Sequence, residues 1–414
     1  MPAPATERSA PTPLRHGGSG WVHAARGAAA LGAAMGIGRF AFTPILPMMT
    51  ADAGLTVQGG AAVATANYVG YLAGALAATV SPRMARSPVA LRSSLVVVVI
   101  TLLVMPLLHS PIHWFAARLV AGFASAAVFV GAVDLMVDQL RRHAPHLAGW
   151  GFGGVGVGIA ASGVLVLVLP EWRSAWWAVA VVAAVLACAA SPLRRPRPKP
   201  PEASAPPPQR PSHGRRWFAA LFVCYALEGV GYIIAGTFLV AAIEQSSPGW
   251  LGTGAWIVVG LAAAPSAALW AWLSSRFSHP TLLAVALLMQ AAGIALPAVA
   301  RGPVAALVGA ILFGVTFVGI STIAIAAGTH LRVPRAVALL TAGYSAGQIA
   351  GPLLVAPLIH DGFRSALIAG AAVVGGAALA AGLLRIGYPR SLTVSDDGDR
   401  LRAATTRHPT VPRS

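Results

Sequence analysis

Five charged side chains lie inside long apolar segments of this sequence, and they are the residues best placed to do chemistry: Arg39, Arg118, Asp134, Asp138 and Glu228. If those segments cross a membrane, each ionised group costs roughly 2.5–3.5 kcal/mol on insertion scales. Such a group therefore needs a partner, water or a function. The uncharged polar residues on the same segments are candidates to surround it.

Two arginines are candidates for binding or coupling. Arg39 follows Gly36 and Gly38 and precedes Pro44, which frees a backbone carbonyl within a helix. A guanidinium is permanently charged and binds carboxylate or phosphate in a fork, so we expect Arg39 to bind an anion. The alternative is a structural ion pair. Arg118 lies near the outer end of its segment, where it could assist proton coupling or extend to the interface as a structural residue.

Glu228 is close to the middle of its segment. Tyr225 and Tyr232 precede and follow it at i−3 and i+4, so all three share one helical face. A carboxyl removed from water favours its neutral form. Glu228 is therefore predicted to carry a proton or to contact substrate. The alternative is a protonated Glu hydrogen-bonded to a neighbouring helix.

Two polar pairs at i, i+4 could line a substrate cavity: Asn67 with Tyr71, and Tyr344 with Gln348. Each pair presents both side chains on one face of its helix. The alternative for both pairs is ordinary hydrogen bonding between helices, which contributes about 0.6 kcal/mol on average in a membrane.

Asp134 and Asp138, also at i, i+4, precede a basic loop near the predicted cytoplasmic end of their segment. We expect them to have a structural or gating role in ion pairs. Arg276, which follows the eighth apolar segment, corresponds in position to Arg83, which follows the second. The arginines expected to take part are Arg83, Arg86 and Arg142.

Several motifs carry no catalytic prediction. The glycines at 151, 153 and 156 match a dinucleotide fingerprint only formally, because no strand precedes them and they lie in an apolar segment. Cys188 and Cys224 form no metal-binding spacing and are expected to be packing residues. No nucleophile with its base is apparent. We predict no metal, no cofactor and no enzymatic activity.

Composition shows which elements must position these residues. The chain is 57% hydrophobic and 10% charged, whereas a soluble domain carries about 25% charged residues. Apolar blocks of about twenty residues are long enough to cross a bilayer as helices. We predict an all-α membrane protein with twelve spans at 22–48, 58–80, 89–108, 113–140, 147–169, 174–190, 216–243, 250–274, 281–300, 303–328, 336–358 and 364–386.

The arrangement of the basic residues predicts the orientation. Although the net charge is +17, the basic residues lie in tails and alternate loops, which excludes nucleic-acid binding. Only Arg173, Arg301 and Arg364 fall in loops predicted to be external, so both termini are placed in the cytoplasm. The segment 22–48 is too long for a cleaved signal peptide. Arginine far outnumbers lysine, which suggests a bacterial protein, and we expect the cytoplasmic membrane.

Proline- and charge-rich stretches divide the chain into five predicted parts. These are a disordered N-terminal tail at 1–20, a six-helix half at 21–190, a Pro/Arg linker at 191–215, a second six-helix half at 216–388 and a tail at 389–414. Short strings recur between the halves at offsets of about 190 residues: Gly36-Ile37-Gly38 resembles Gly229-Val230-Gly231, and Phe129-Val130-Gly131 recurs at 317–319. Parallel repeats of this kind occur in one large class of transporters.

A wider resemblance covers the whole chain from the first to the last span. The strings GIGRFAFTPILP (36–47), ANYVGYLAGAL (66–76), RLVAGFASA (118–126), GGVGVGIAASG (153–163), YALEGVGYIIAGTF (225–238) and GQIAGPLL (347–354) resemble the major facilitator superfamily, and more narrowly its YbfB/YjiJ branch. The usual Asp of the loop after the second span is absent, and the fifth span lacks the internal Pro of the antiporter pattern. Arg118-x-x-x-Gly122 resembles a pattern of proton-coupled antiporters.

The resemblance implies alternating access between two halves. The expected function is proton-coupled transport of a small organic, anionic solute by a monomer in the lipid bilayer. Arg39 would hold the anion and Glu228 the proton. Two alternatives are proton-driven efflux of lipophilic or cationic compounds, and a non-transporting sensor or partner-binding protein on the same fold.

Overall fold

The structure is a computed structural model of the 414-residue chain, and it describes residues 17–81, 87–140, 144, 147–169, 171–193, 214–247, 249–333 and 335–388. Every regular element in those ranges is helical. Twelve helices are long and apolar enough to cross a membrane, which confirms the predicted number of spans.

The twelve spans differ from their predicted limits by a few residues. They are α1 (Gly20–Asp52), α2 (Val57–Val80), α3 (Pro88–Leu107), α4 (Pro111–Leu140), α5 (Ala148–Val168), α6 (Trp172–Ala190), α7 (Arg215–Ser246), α8 (Leu251–Ser274), α9 (His279–Val299), α10 (Pro303–His330), α11 (Ala336–Ile359) and α12 (Phe363–Leu384). The predicted tail at 389–414, most of the predicted linker and most of the first tail lie outside the described residues.

Equivalent helices of the two halves make equivalent contacts. In the first half α2 packs on α4, α3 on α6 and α1 on α5. In the second half α8 packs on α10, α9 on α12 and α7 on α11. Each contact in the first half thus recurs six helices later, as two parallel six-helix repeats require.

Helix α1 is interrupted in its middle. A π-helical segment runs from Gly32 to Ile37, a turn follows, and a second α-helix begins at Phe42. Pro44 has no N–H to give to the preceding turn, so the regular hydrogen-bond ladder cannot continue through this point. Backbone carbonyls just before the second helix are therefore free to accept from other helices, and Arg39 lies on this turn.

The two halves meet along helices that approach at backbone distance. Helix α5 packs against α8, and α2 packs against α11. A Cβ added at Gly149 would lie 2.8 Å from the Cα of Ala268, and one added at Gly260 would lie 2.7 Å from the carbonyl oxygen of Gly156. We call this contact the α5–α8 seam. Its members are Gly149, Gly153, Gly156, Ala160 and Gly163 on α5, with Ile257, Gly260, Ala264 and Ala268 on α8.

Hydrogen bonds also join the halves through α7. The Thr43 hydroxyl on α1 donates to the Gly236 carbonyl on α7, and the hydroxyls of Tyr68 on α2 and Thr237 on α7 lie 2.8 Å apart. All four residues lie in buried positions. These contacts hold α1 and α2 of the first half against α7 of the second.

Candidate functional site

Arg39 lies at the boundary between the halves and is only 3% exposed. Its Nη2 donates to Oε1 of Gln348 on α11, at 2.6 Å. Its guanidinium lies 4.2 Å from the ring centre of Tyr71 and 5.1 Å from that of Tyr68. Its Nε has no hydrogen-bond partner in the described part of the chain. The cation is therefore held by an amide oxygen and aromatic faces, and its Nε–H is still open.

Arg118 on α4 contacts the interrupted part of α1 through both of its Nη atoms, while its Nε has no partner among the described residues. Its Nη1 donates to the Gly38 carbonyl and its Nη2 to the Arg39 carbonyl, each at 2.7 Å. The guanidinium also lies 5.5 Å from the ring centre of Phe42. These carbonyls are the ones that the break in α1 leaves without helical partners. The contacts favour the structural alternative for Arg118 and place it as a support for Arg39.

Asn67 and Tyr71, predicted as a cavity-lining pair, are both buried but differ in their contacts. Asn67 Nδ2 donates to the Arg118 carbonyl at 3.0 Å, which ties α2 to α4. Tyr71 instead presents its ring to Arg39. Asn67 thus makes an interhelical hydrogen bond, while Tyr71 lies against the cation.

Glu228 on α7 is completely buried, at 0% exposure. The side chain beside its carboxyl is Gln290 on α9, which is also 0% exposed. Neither carboxyl oxygen and neither amide atom of Gln290 completes a hydrogen bond of normal geometry within the described residues. Two adjacent buried polar groups with four open atoms are unusual, because most buried polar groups are hydrogen-bonded.

A row of aromatic rings connects the neighbourhoods of Glu228 and Arg39. Tyr225 stacks on Tyr344 with ring centres 4.5 Å apart, and Tyr344 stacks on Tyr232 at 5.6 Å. Tyr225 and Tyr232 flank Glu228 on one face of α7, and the rings of Phe317 and Phe40 continue the row from Tyr232 to Arg39. The predicted residues Tyr225, Tyr232 and Tyr344 are thus brought together, and Gln348 lies at Arg39.

Further rings extend this row across the interface. Phe317 on α10 lies 5.2 Å from both Tyr232 and Phe40, and Phe40 lies 6.4 Å from Trp256 on α8. The indole Nε1 of Trp256 has no partner among the described residues. The region between Arg39 and Glu228 is therefore bounded by flat aromatic surfaces from both halves.

Sequence reasoning missed two kinds of residue here. Gln290 is uncharged, so it did not stand out, although a lone polar side chain in the middle of an apolar span is itself a signal. Tyr68 lies three residues before Tyr71 and shares its face, which its spacing could have shown. Phe40, Trp256 and Phe317 give no such signal, because aromatic residues are common throughout membrane spans.

Three of the predicted gating residues, Asp134, Asp138 and Arg276, lie among the described residues. Asp134 is half-buried and Asp138 is exposed on α4, while Arg276 after α8 is exposed with its guanidinium 4.1 Å from the ring centre of Trp272. Arg83 and Arg86 lie outside the described residues, as does Arg142. The proposed ion pairs between these groups remain a prediction.

The chemistry available at the centre is binding and proton exchange. It offers the Arg39 cation, the Glu228 carboxyl, the amides of Gln348 and Gln290 and several aromatic faces. Within the described ranges no group of three or more His, Cys, Asp or Glu residues could hold a metal ion. Both cysteines there are free, with Cys224 buried and Cys188 exposed.

Comparison with known proteins gives two results. A family model described as "Uncharacterised MFS-type transporter YbfB" matches residues 31–385. Among solved structures, the chain is similar to the crystal structure of a mutant of the nucleoside transporter NupG, with a TM-score of 0.64 and 14% sequence identity. That similarity covers 88% of this chain and 99% of the other. At this identity the second result bears on the fold alone.

Proposed function

The chain belongs to the family of MFS-type transporters that this match describes, and we propose that it moves a small organic anion across the membrane with the coupled movement of a proton. Membership makes it a multi-pass secondary transporter of the major facilitator fold. The observation that carries the finer proposal is the pair of buried side chains Arg39 and Glu228, neither of which has an oppositely charged partner among the described residues.

Arg39 is the reason for proposing an anion. A buried cation is costly unless it is paired, and no carboxylate among the described residues pairs with it. Its contacts to Gln348 and to aromatic faces replace only part of its hydration. An incoming carboxylate would supply the missing charge and could accept from the open Nε.

Glu228 is the reason for proposing a proton. No basic side chain in the described part of the chain pairs with it, and it is removed from water. In such a place the neutral form is favoured, so the carboxyl gains a proton readily and releases it when water enters. Alternating access would expose it to each side in turn. We assign to Arg118 the role of supporting the break in α1, and not that of moving a proton.

The remaining features of the proposal concern the cellular setting. We place the protein in a bacterial cytoplasmic membrane as a monomer, with both termini on the cytoplasmic side. The support is the excess of arginine in the loops assigned to that side. Helices α1 to α6 and α7 to α12 would be the two halves that rock about the central site.

The first test measures thermal stabilisation of the purified protein by matched panels of small organic anions, lipophilic cations and uncharged nucleosides. Nucleosides are included because the similar solved structure is that of a nucleoside transporter. Stabilisation by an anion that is lost in Arg39→Ala supports the proposal. Stabilisation by cations alone, lost in Glu228→Gln, would replace it with efflux of cationic compounds.

The proton is tested separately in proteoliposomes with an anion found by the first test. Glu228→Gln removes the titratable group and keeps its size. We expect this variant to lose accumulation driven by a pH gradient while retaining exchange of labelled for unlabelled solute. Uphill accumulation that survives in Glu228→Gln would contradict the role of Glu228, whatever the substrate is.

A further inference from the structure

The carboxyl of Glu228 and the amide of Gln290 form a second polar group of atoms that anion binding at Arg39 does not use. The two side chains come from different helices, α7 and α9, and both are fully buried. They lie beside each other, yet all four of their oxygen and nitrogen atoms lack a completed hydrogen bond within the described residues.

The neighbouring hydroxyls do not fill these open positions. Tyr225, Tyr232 and Tyr344 stack on one another close by, but none of their hydroxyls completes a hydrogen bond to the Glu228 carboxyl or the Gln290 amide. On the other side of the interface the Tyr68 hydroxyl is bonded to Thr237. The tyrosines therefore contribute flat faces, and the carboxyl and amide remain as unsatisfied donors and acceptors.

We propose that Glu228 and Gln290 form a subsite for an uncharged hydrogen-bonding group, such as a carboxamide, urea or hydroxyl, at the far end of an organic monoanion whose carboxylate is held by Arg39. This rests on the proposed function and specifies its substrate class. An amide both donates and accepts, and so does a protonated carboxyl. Together they complement a ligand group that also does both.

The aromatic row relates the two ends of such a ligand. Tyr71 lies against Arg39, and Tyr225 is three residues before Glu228 on the same face of α7. Tyr344 stacks on both Tyr225 and Tyr232, and the rings of Phe317 and Phe40 continue the row from Tyr232 to Arg39. A ligand lying along these faces has its anionic end in the first half and its polar end in the second.

A carboxylate at the far end does not fit this subsite. A second negative charge would lie beside the Glu228 carboxyl, where the described residues provide no cation to offset it. An ammonium group would require the ionised form of Glu228. The subsite should therefore bind ligands with an uncharged polar end group more tightly than ligands that end in a carboxylate or an ammonium group. This difference in affinity can be measured.

The experiment uses linear carboxylates of graded chain length whose far end is a methyl, a carboxamide, a carboxylate or an ammonium group. Binding to the full-length protein is measured by thermal stabilisation and by calorimetry. We expect the carboxamide to bind about tenfold more tightly than the methyl compound of the same length. In Gln290→Met that preference should disappear while Arg39-dependent binding of the methyl compound remains.

Gln290→Asn gives a second readout that a structural role alone would not produce. It withdraws the amide by one methylene, so the preferred carboxamide should become one methylene longer. It also keeps the polar group if Gln290→Met fails to fold. The matched control is Gln58→Met, since Gln58 is exposed at the start of α2; it should leave both preferences unchanged.

The outcomes distinguish this inference from the proposed function. Equal binding of methyl and carboxamide compounds, a carboxamide preference unchanged in Gln290→Met and Gln290→Asn, or a preference for the ammonium or carboxylate end would overturn the subsite. If no carboxylate of the series binds in a manner that depends on Arg39, the proposed function itself fails, and the subsite with it.

Discussion

Arg118→Leu provides a direct test of how α1 is held in its interrupted form. The substitution removes two hydrogen bonds of 2.7 Å from a charged donor to the carbonyls of Gly38 and Arg39. Bonds to charged groups contribute about 1.5–3 kcal/mol each. The two together therefore predict a loss of about 3–6 kcal/mol in the free energy of unfolding, since the break leaves these carbonyls without helical donors.

The size of the loss in the free energy of unfolding shows whether these two hydrogen bonds are stronger than average. If the two contacts were no stronger than the average interhelical hydrogen bond in a membrane, about 0.6 kcal/mol each, the loss would be only about 1 kcal/mol. Arg118→Lys should fall between the extremes, because an ammonium keeps the charge but cannot donate to two carbonyls in a planar fork. The assay is reversible unfolding of purified protein in mixed micelles, with the exposed Val120→Ala on the same helix as control.

Anion binding provides the second readout. Because Arg118 holds the carbonyl of Arg39 itself, its loss should weaken Arg39-dependent stabilisation by organic anions as well as the fold. An Arg118→Leu protein that unfolds within about 1 kcal/mol of the unmodified protein and binds anions equally well would refute the reasoning. In that case proton coupling would become the better assignment for Arg118.

Two further predictions concern packing and pH. Gly122→Ala should destabilise the protein by about 1–3 kcal/mol, since its new Cβ would overlap the Asn67 carbonyl where α2 and α4 cross. Gly375→Ala on α12, with nothing within 4 Å of the new Cβ, should be neutral or stabilising by up to about 1 kcal/mol. Unfolding in mixed micelles measures both variants, and equal effects would contradict the close approach of α2 and α4 at Gly122. Burial raises the pKa of Tyr388, beyond the end of α12, from 10.0 to about 12, so its contribution to stability is complete below pH 10 and is lost as the pH rises through 12. The alkaline decrease in melting temperature should therefore be smaller in Tyr388→Phe, and an unchanged decrease would show that Tyr388 does not cause it.

The sequence was sufficient for the number of spans and the fold, because about twenty apolar residues have one common structural solution in a bilayer. Their ends were less predictable: α1 continues to Asp52 and α7 to Ser246, several residues past the last predicted position. A helix can continue for several residues past the point at which hydropathy falls. The interruptions at Gly153 in α5 and near Pro265 in α8 were also not predicted, since both lie within continuous apolar runs.

At the central site, the sequence could identify only those residues that are marked by charge or by their spacing within one helix. Arg39 and Glu228 stood out because charges are rare in apolar spans. Contacts such as Arg39 with Gln348, 309 residues apart, depend on how the halves dock and leave no local pattern. A helix that is apolar all round also gives no sign of which face turns inward, which is why Gln290 beside Glu228 was not foreseen.

The α5–α8 seam has a kinetic consequence. The glycines of the seam lie against backbone atoms and alanine, and Gly163 lies against Ile257. When two such surfaces slide past each other, few side-chain rotamers must be reset, so little activation energy arises there. The slow step of rocking should instead be the breaking of directed bonds, above all Tyr68 to Thr237 and Thr43 to Gly236. We therefore expect sliding at the α5–α8 seam to add little to the activation barrier, and the rupture of those hydroxyl hydrogen bonds to limit the turnover rate.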